Sequence, residues 1–258
     1  MLKVRVIPTL LWKDVGLVKG VGFDSWRRID TVLPAIKVYN MRDVDELILL
    51  DVSATLDQRD LDYEAIERYS SECFVPLAIG GGVYDLEQIR KLLLAGADKV
   101  VINSAAYQDP ELITKASRRF GSQCIVAGVD AKRLAEGEYE CFSHSGKRPT
   151  GKEPKAWAME LEERGAGEVL ITSIDRDGTM KGYDIELTRQ VTGNVNIPVI
   201  ASGGAGNYED MFKALKVGMS SAVAAASIFH FTECTPREAK RFLSEKGIPV
   251  RGINKQLA

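Results

Sequence analysis

Val75-Pro76-Leu77-Ala78-Ile79-Gly80-Gly81-Gly82 returns later in the chain as Ile197-Pro198-Val199-Ile200-Ala201-Ser202-Gly203-Gly204. In each copy a proline opens a short apolar run, a Gly-Gly pair closes it, and a helix start follows, at Asp85 in the first and Asn207 in the second. Asp and Asn suit those places because their side chains accept from the free backbone N–H groups of a first helical turn. Each copy then passes through a helix to a second glycine, Gly96 or Gly218, and on to another apolar run. Proline, glycines and helix start keep one register. Chance likeness between βα units does not require that; two similar halves related by a pseudo-twofold axis do.

Outward from the repeat, short apolar runs alternate with helical patterns along the whole chain. The strand candidates are 4–11, 46–52, 76–80, 98–103, 123–129, 168–173, 198–202 and 221–226. Runs such as Leu47-Ile48-Leu49-Leu50 and Val169-Leu170-Ile171 are apolar throughout, as expected for strands buried on both faces. Helix starts are legible at Asp109-Pro110-Glu111 and Thr235-Pro236-Arg237-Glu238, the latter with a capping-box Glu. Helices are expected over 63–69 and 154–164. Eight strands alternating with helices predict an α/β fold with a parallel sheet. The 258 residues fit a single (βα)8 barrel domain, 1–258, built from two similar half-barrels of approximately 1–120 and 121–258.

Composition narrows the function. The hydrophobic fraction of 45% and charged fraction of 27% are those of an ordinary globular protein with a full core. A net charge of −2 and the lack of a long basic run argue against nucleic acid as a partner. Cys73, Cys124, Cys141 and Cys234 have no CxxC spacing, and His144 and His230 are the only histidines, so neither a zinc site nor a disulfide framework is expected. The first residues do not read as a signal peptide and no run has the length of a membrane span. The expectation is a cytoplasmic protein with no membrane partner and no metal.

Gly80-Gly81-Gly82 and Ser202-Gly203-Gly204 each leave a strand and enter a helix. Glycine lets backbone approach a ligand closely, and the helix start presents unpaired N–H groups to an anion. The strand after each copy ends in small residues, Asn103-Ser104 and Ala226-Ser227. Gly81, Gly82, Asn103 and Ser104 are therefore candidates for one phosphate site, and Ser202, Gly203, Gly204, Ala226 and Ser227 for a second. Two sites at matching places imply a phosphorylated small molecule with a phosphate at each end.

Asp130 closes the fifth strand candidate, where barrel enzymes carry catalytic groups, and is the candidate general acid or base. The repeat sharpens this. Aligning Lys132 with Lys13 sets Asp130 opposite position 11, which is Leu11. Leucine transfers no proton, so a facing acid is missing. Asp51 ends the second strand and Asp177 lies in the loop after the sixth, placed either to orient sugar hydroxyls or to cap loops. Lys19, in a long first loop, either closes over a phosphate or is solvated. At the other end, Arg5, Glu46, Lys99 and Glu168 stand at or near strand starts; spacing alone leaves a ring of ion pairs and plain solvated strand ends both open.

Taken together, Phe120-Gly121-Ser122-Gln123-Cys124 leading to Asp130-Ala131-Lys132-Arg133, Asp175-Arg176-Asp177-Gly178-Thr179, Ala201-Ser202-Gly203-Gly204-Ala205-Gly206, Ile102-Asn103-Ser104-Ala105-Ala106 and Phe229-His230-Phe231 resemble the cyclase subunit of imidazole glycerol phosphate synthase over nearly the whole chain. The resemblance implies a glutaminase partner, in a heterodimer, docked on the strand-start face. It also implies ammonia passing a charged gate of Arg5, Glu46, Lys99 and Glu168. At the mouth, ammonia would convert a bisphosphorylated ribulosyl aminoimidazole carboxamide to imidazole glycerol phosphate and an aminoimidazole carboxamide ribotide. No cofactor is implied. Asp130 matches one of the family's two catalytic aspartates; Leu11 stands at the other, and Asp14-Val15-Gly16-Leu17 also departs from the family pattern. Cyclase-like subunits associated with bacterial surface-polysaccharide genes fit that mixture. They imply an alternative: a specialised paralogue that conducts ammonia to a third protein, an amidotransferase of acetamidino-sugar synthesis, with little cyclase activity.

Overall fold

A computed structural model describes residues 3–14 and 16–252. The chain runs β1 (Arg5–Lys13), β2 (Gly16–Val21), β3 (Asp24–Asp30), α1 (Val32–Asn40), β4 (Leu47–Asp51), α2 (Ala54–Asp57), α3 (Tyr63–Ser71), β5 (Leu77–Gly80), α4 (Leu86–Leu94), β6 (Lys99–Ile102), α5 (Ser104–Gln108) and α6 (Glu111–Phe120). After a short 3-10 turn at Ser122–Cys124 it continues with β7 (Ile125–Ala135), β8 (Glu138–Ser143), β9 (Arg148–Pro149), α7 (Pro154–Glu163), β10 (Glu168–Ser173), α8 (Ile185–Thr192), β11 (Val199–Ser202), α9 (Tyr208–Lys216), β12 (Ala222–Ala225), α10 (Ser227–Phe231) and α11 (Pro236–Glu245).

The strands β1-β4-β5-β6-β7-β10-β11-β12 pair in parallel in that order, and β12 pairs with β1, closing a barrel. This is the (βα)8 barrel expected. Alternation along each strand sorts its side chains. Val6, Leu10 and Trp12 of β1 face outward into the core under the helices, while Ile7 faces inward. Burying each Leu, Ile or Val of that outer layer stabilises the fold by roughly 1.5–3 kcal/mol before entropy. Three helix starts behave as read: Asp85 accepts from Gln88 N at 2.7 Å, and Asn207 and Thr235 form capping boxes. At 109–111 the start falls one residue later than expected, with Pro110 rather than Asp109 as the N-cap, although Asp109 Oδ1 still takes the N–H of Glu111 at 3.1 Å. No helix among the described residues is long and apolar enough to cross a membrane.

Four strands were not foreseen. β2 and β3 form a hairpin after β1, and β8 and β9 follow β7. The first and fifth barrel strands both run on past the rim into antiparallel pairing, Trp12 with Leu17 and Asp130 with Phe142. So 123–129 was placed too early: Gln123 and Cys124 lie in the 3-10 turn, and the strand continues through Asp130 to Ala135. Lys19 likewise stands in a strand rather than a loop. Exposed, charged Asp24–Asp30 gives no apolar run to read, because its support comes from β2 and not from a second covered face.

Candidate functional site

The strand ends that follow Leu11, Gly80, Ile102, Asp130, Ser202 and Ala225 surround a cavity of about 1130 Å³, counted out to its open rim. Its walls include Lys19, Asp51, Gly81, Gly82, Asn103, Ser104, Asp130, Asp177, Ser202, Gly203, Gly204, Ala226 and Ser227, so the candidates read from the sequence share one space.

The two glycine turns are near copies. Gly81 has φ +93° and Gly203 φ +90°, which side chains rarely tolerate. A Cβ on Gly81 would lie 2.0 Å from the Asp51 carbonyl oxygen, and one on Gly203 2.7 Å from that of Ser173. Only glycine permits both turns to pack against the preceding barrel strand's end. Beside them, Asn103 (φ −127°, ψ −89°) and Ala226 (φ −123°, ψ −68°) carry the chain into short helices with nearly the same backbone. The strand order puts β5 and β6 across the barrel from β11 and β12, with two strands between on either side. The pairs of turns therefore face each other over the mouth. Ser227 Oγ is buried without a protein partner, whereas Gly82 N–H already donates to Thr55 Oγ1 at 3.1 Å and Ser104 Oγ accepts from His144 N at 2.9 Å.

β1 and β7 also lie opposite one another, so Leu11 faces Asp130. Asn103 Nδ2 donates to Asp130 Oδ2 at 2.7 Å, and Asn103 Oδ1 is buried with no protein partner. Desolvation in the cavity pushes the Asp130 carboxyl up to about 7; hydrogen bonding by Asn103 opposes this, the Asp177 charge adds to it and Thr172 opposes it. Such a group is present in both protonation states near neutral pH, which is what proton transfer in either direction requires. Thr172, paired in register with Asp130, went unnoticed in the sequence, since a threonine inside an apolar strand carries no signal of its own.

The other carboxylates are engaged. Asp51 Oδ1 caps its own turn, accepting from Ser53 N at 3.0 Å and Ala54 N at 2.9 Å, and Oδ2 pairs with Arg59 at 2.7 Å. Asp177 holds Lys19 Nζ through both oxygens, at 2.8 and 2.7 Å. Lys19 is thus buried rather than solvated, and Gly22 N–H donates to Asp177 O at 3.0 Å, so the β2–β3 hairpin lies folded against the mouth. Phe23 and Trp26 of that hairpin, and Ser145 after β8, join the cavity wall. Sequence reading missed these three because the hairpins themselves were missed.

At the strand-start end, Arg5 contacts Glu46 at 2.6 Å and Glu168 at 2.9 Å, and Lys99 contacts the same two at 2.9 and 3.1 Å. The four charges form a closed ring of ion pairs. Above it the axis is filled by Ile7, Ile48, Ala78, Val101, Val126, Leu170, Ile200, Ala222 and Ala224. The interior is a packed layer, as side chains in a barrel this narrow must be, and not an open bore.

The histidine biosynthesis protein family matches residues 5–235. The imidazole glycerol phosphate synthase subunit HisF of Chloroherpeton thalassium is 46% identical over 251 residues, covering 97% of this chain and 100% of that protein.

Proposed function

Since this chain belongs to the histidine biosynthesis protein family, as a relative of the imidazole glycerol phosphate synthase cyclase subunit, we propose that it binds a bisphosphorylated ribulosyl aminoimidazole carboxamide across the mouth. Ammonia from a glutaminase partner then condenses with the keto carbon, whose oxygen leaves as water, and ring closure splits the product into imidazole glycerol phosphate and aminoimidazole carboxamide ribotide. The observation that carries this reading is a buried carboxyl raised to about 7, Asp130, in one cavity with two matched glycine turns. Gly81, Gly82, Asn103 and Ser104 hold one phosphate; Ser202, Gly203, Gly204, Ala226 and Ser227 hold the other. Asp130 takes a proton from the attacking nitrogen and returns one as the imidazole closes and the carboxamide leaves.

The glutaminase docks on the strand-start face, where Met41, Phe74, Leu94 and Met219 are each more than 60% exposed. Arg5, Glu46, Lys99 and Glu168 gate the ammonia. The filled axis means that passage needs side chains of the ring and the apolar layer to move aside in turn.

Leu11 favours a second reading. With one wall lacking an acid, the chain serves as a specialised paralogue that conducts ammonia to an amidotransferase of surface-polysaccharide acetamidino-sugar synthesis. Supplying the purified protein with ammonium chloride and the ribulosyl substrate separates the two. Turnover at an ordinary enzyme rate, about 1–10³ s⁻¹, supports the cyclase; tight substrate binding without turnover supports the specialised reading.

A further inference from the structure

Thr9 stands on the inward face of β1 between Ile7, which belongs to the apolar layer, and Leu11. It is 7% exposed and lines the cavity, yet its Oγ1 has no protein hydrogen-bond partner. The floor around it is otherwise apolar: Leu50, Val101, Leu170 and Ala224. A valine of nearly the same shape would fit such a floor without leaving a hydroxyl unsatisfied, and buried hydroxyls are normally paired. The alignment that sets Leu11 opposite Asp130 sets Thr9 opposite Gly128, so the second half has no counterpart to this hydroxyl. The wall that lacks the acid carries instead one unpartnered polar atom, at the boundary between packed axis and open mouth.

We propose that the Thr9 hydroxyl binds the ammonia nucleophile as it leaves the apolar layer and orients it toward the substrate on the side facing Asp130. Its O–H donates to the ammonia lone pair while ammonia waits, and Oγ1 accepts an N–H as that lone pair turns to attack. Both exchanges are available to a hydroxyl and to no other side chain of the floor. The inference rests on the ammonia-dependent reading above.

The test uses the full chain with ammonium chloride as the nitrogen source. Thr9→Val should raise the KM for ammonium roughly five- to tenfold, with kcat and the KM of the phosphorylated substrate unchanged, as expected for loss of one neutral hydrogen bond made equally in ground and transition states. Thr9→Ser should restore it. An unchanged ammonium KM in Thr9→Val overturns the inference while leaving the functional reading intact. Absence of ammonia-dependent turnover in the wild type overturns both. Thermal unfolding gives a readout independent of activity. Thr9→Val should melt no lower than wild type, because it removes an unpaired hydroxyl; a drop of several degrees would mean the hydroxyl has a structural partner, and would also overturn the inference.

Discussion

The two walls that face each other across the mouth come from corresponding strands and differ in chemistry. β7 brings Asp130, poised near neutrality and held by Asn103, above a bare Gly128. β1 brings Leu11 above Thr9, a side chain that cannot ionise over one that can only hydrogen-bond. Around them the frame is alike: both strands overrun the rim into antiparallel hairpins, and both are flanked by the same glycine turns. Backbone geometry can thus be kept twice over while the ionisable side chain is kept once. The frame depends on glycines and strand register, which packing enforces; the acid depends on a single side chain, which packing does not.

The largest expected effect lies on the β7 wall. Asp130→Asn keeps shape and hydrogen bonding but not proton transfer, and should lower ammonia-dependent turnover by about 10²–10⁴-fold at unchanged substrate affinity. Steady-state kinetics with calorimetric binding checks it; a loss under tenfold would make the two walls equivalent. On the β1 wall, Leu11→Asp should raise turnover, by up to roughly 10²-fold if the missing acid is what limits the wild type.

The same contrast has a stability signature. The Asp130 carboxyl lies near 7 in the folded protein against 3.8 ordinarily, so the folded state binds the extra proton between those values. The stability contributed by Asp130 is then fully present below about pH 4 and falls away as pH rises toward 7, by on the order of 4 kcal/mol. Asp130→Asn should abolish that fall, read from denaturant midpoints across pH. The frame is tested by Gly81→Ala and Gly203→Ala, each costing roughly 1–3 kcal/mol for the backbone conformation alone. Gly81→Ala should be the worse, because its Cβ would meet a carbonyl oxygen at 2.0 Å rather than 2.7 Å. Away from the two walls stands His230, which burial, with the Lys19 charge second, holds down to about 4. Its ring protons should titrate near that value by NMR. Its stability contribution runs opposite to that of Asp130, growing as pH rises from about 4 to 6.5.

Much of this was legible because it rests on residue types with one physical use. Gly-Gly after an apolar run, Asp85 and Asn207 at helix starts, and Asp130 at a strand end each announced their place, and the barrel followed from the alternation. The charged ring was legible only as two alternatives, since Arg5 and Glu168 are far apart in sequence and nothing local says that they meet. The hairpins were hidden because β3 is held by one neighbour and β9 is only two residues long. With them went the burial of Lys19 against Asp177, a contact made only once the hairpin folds over the mouth.

The central claim is that one carboxyl facing the cavity, Asp130, is tuned for proton transfer while its opposite wall carries none. Carbon-detected titration of isotope-labelled aspartates, with Asp130→Asn to assign the signal, tests it without depending on turnover. The account predicts one aspartate carboxyl with a midpoint near 7 that vanishes in Asp130→Asn. A spectrum in which the Asp130 signal titrates with the ordinary carboxylates near 4 would contradict it.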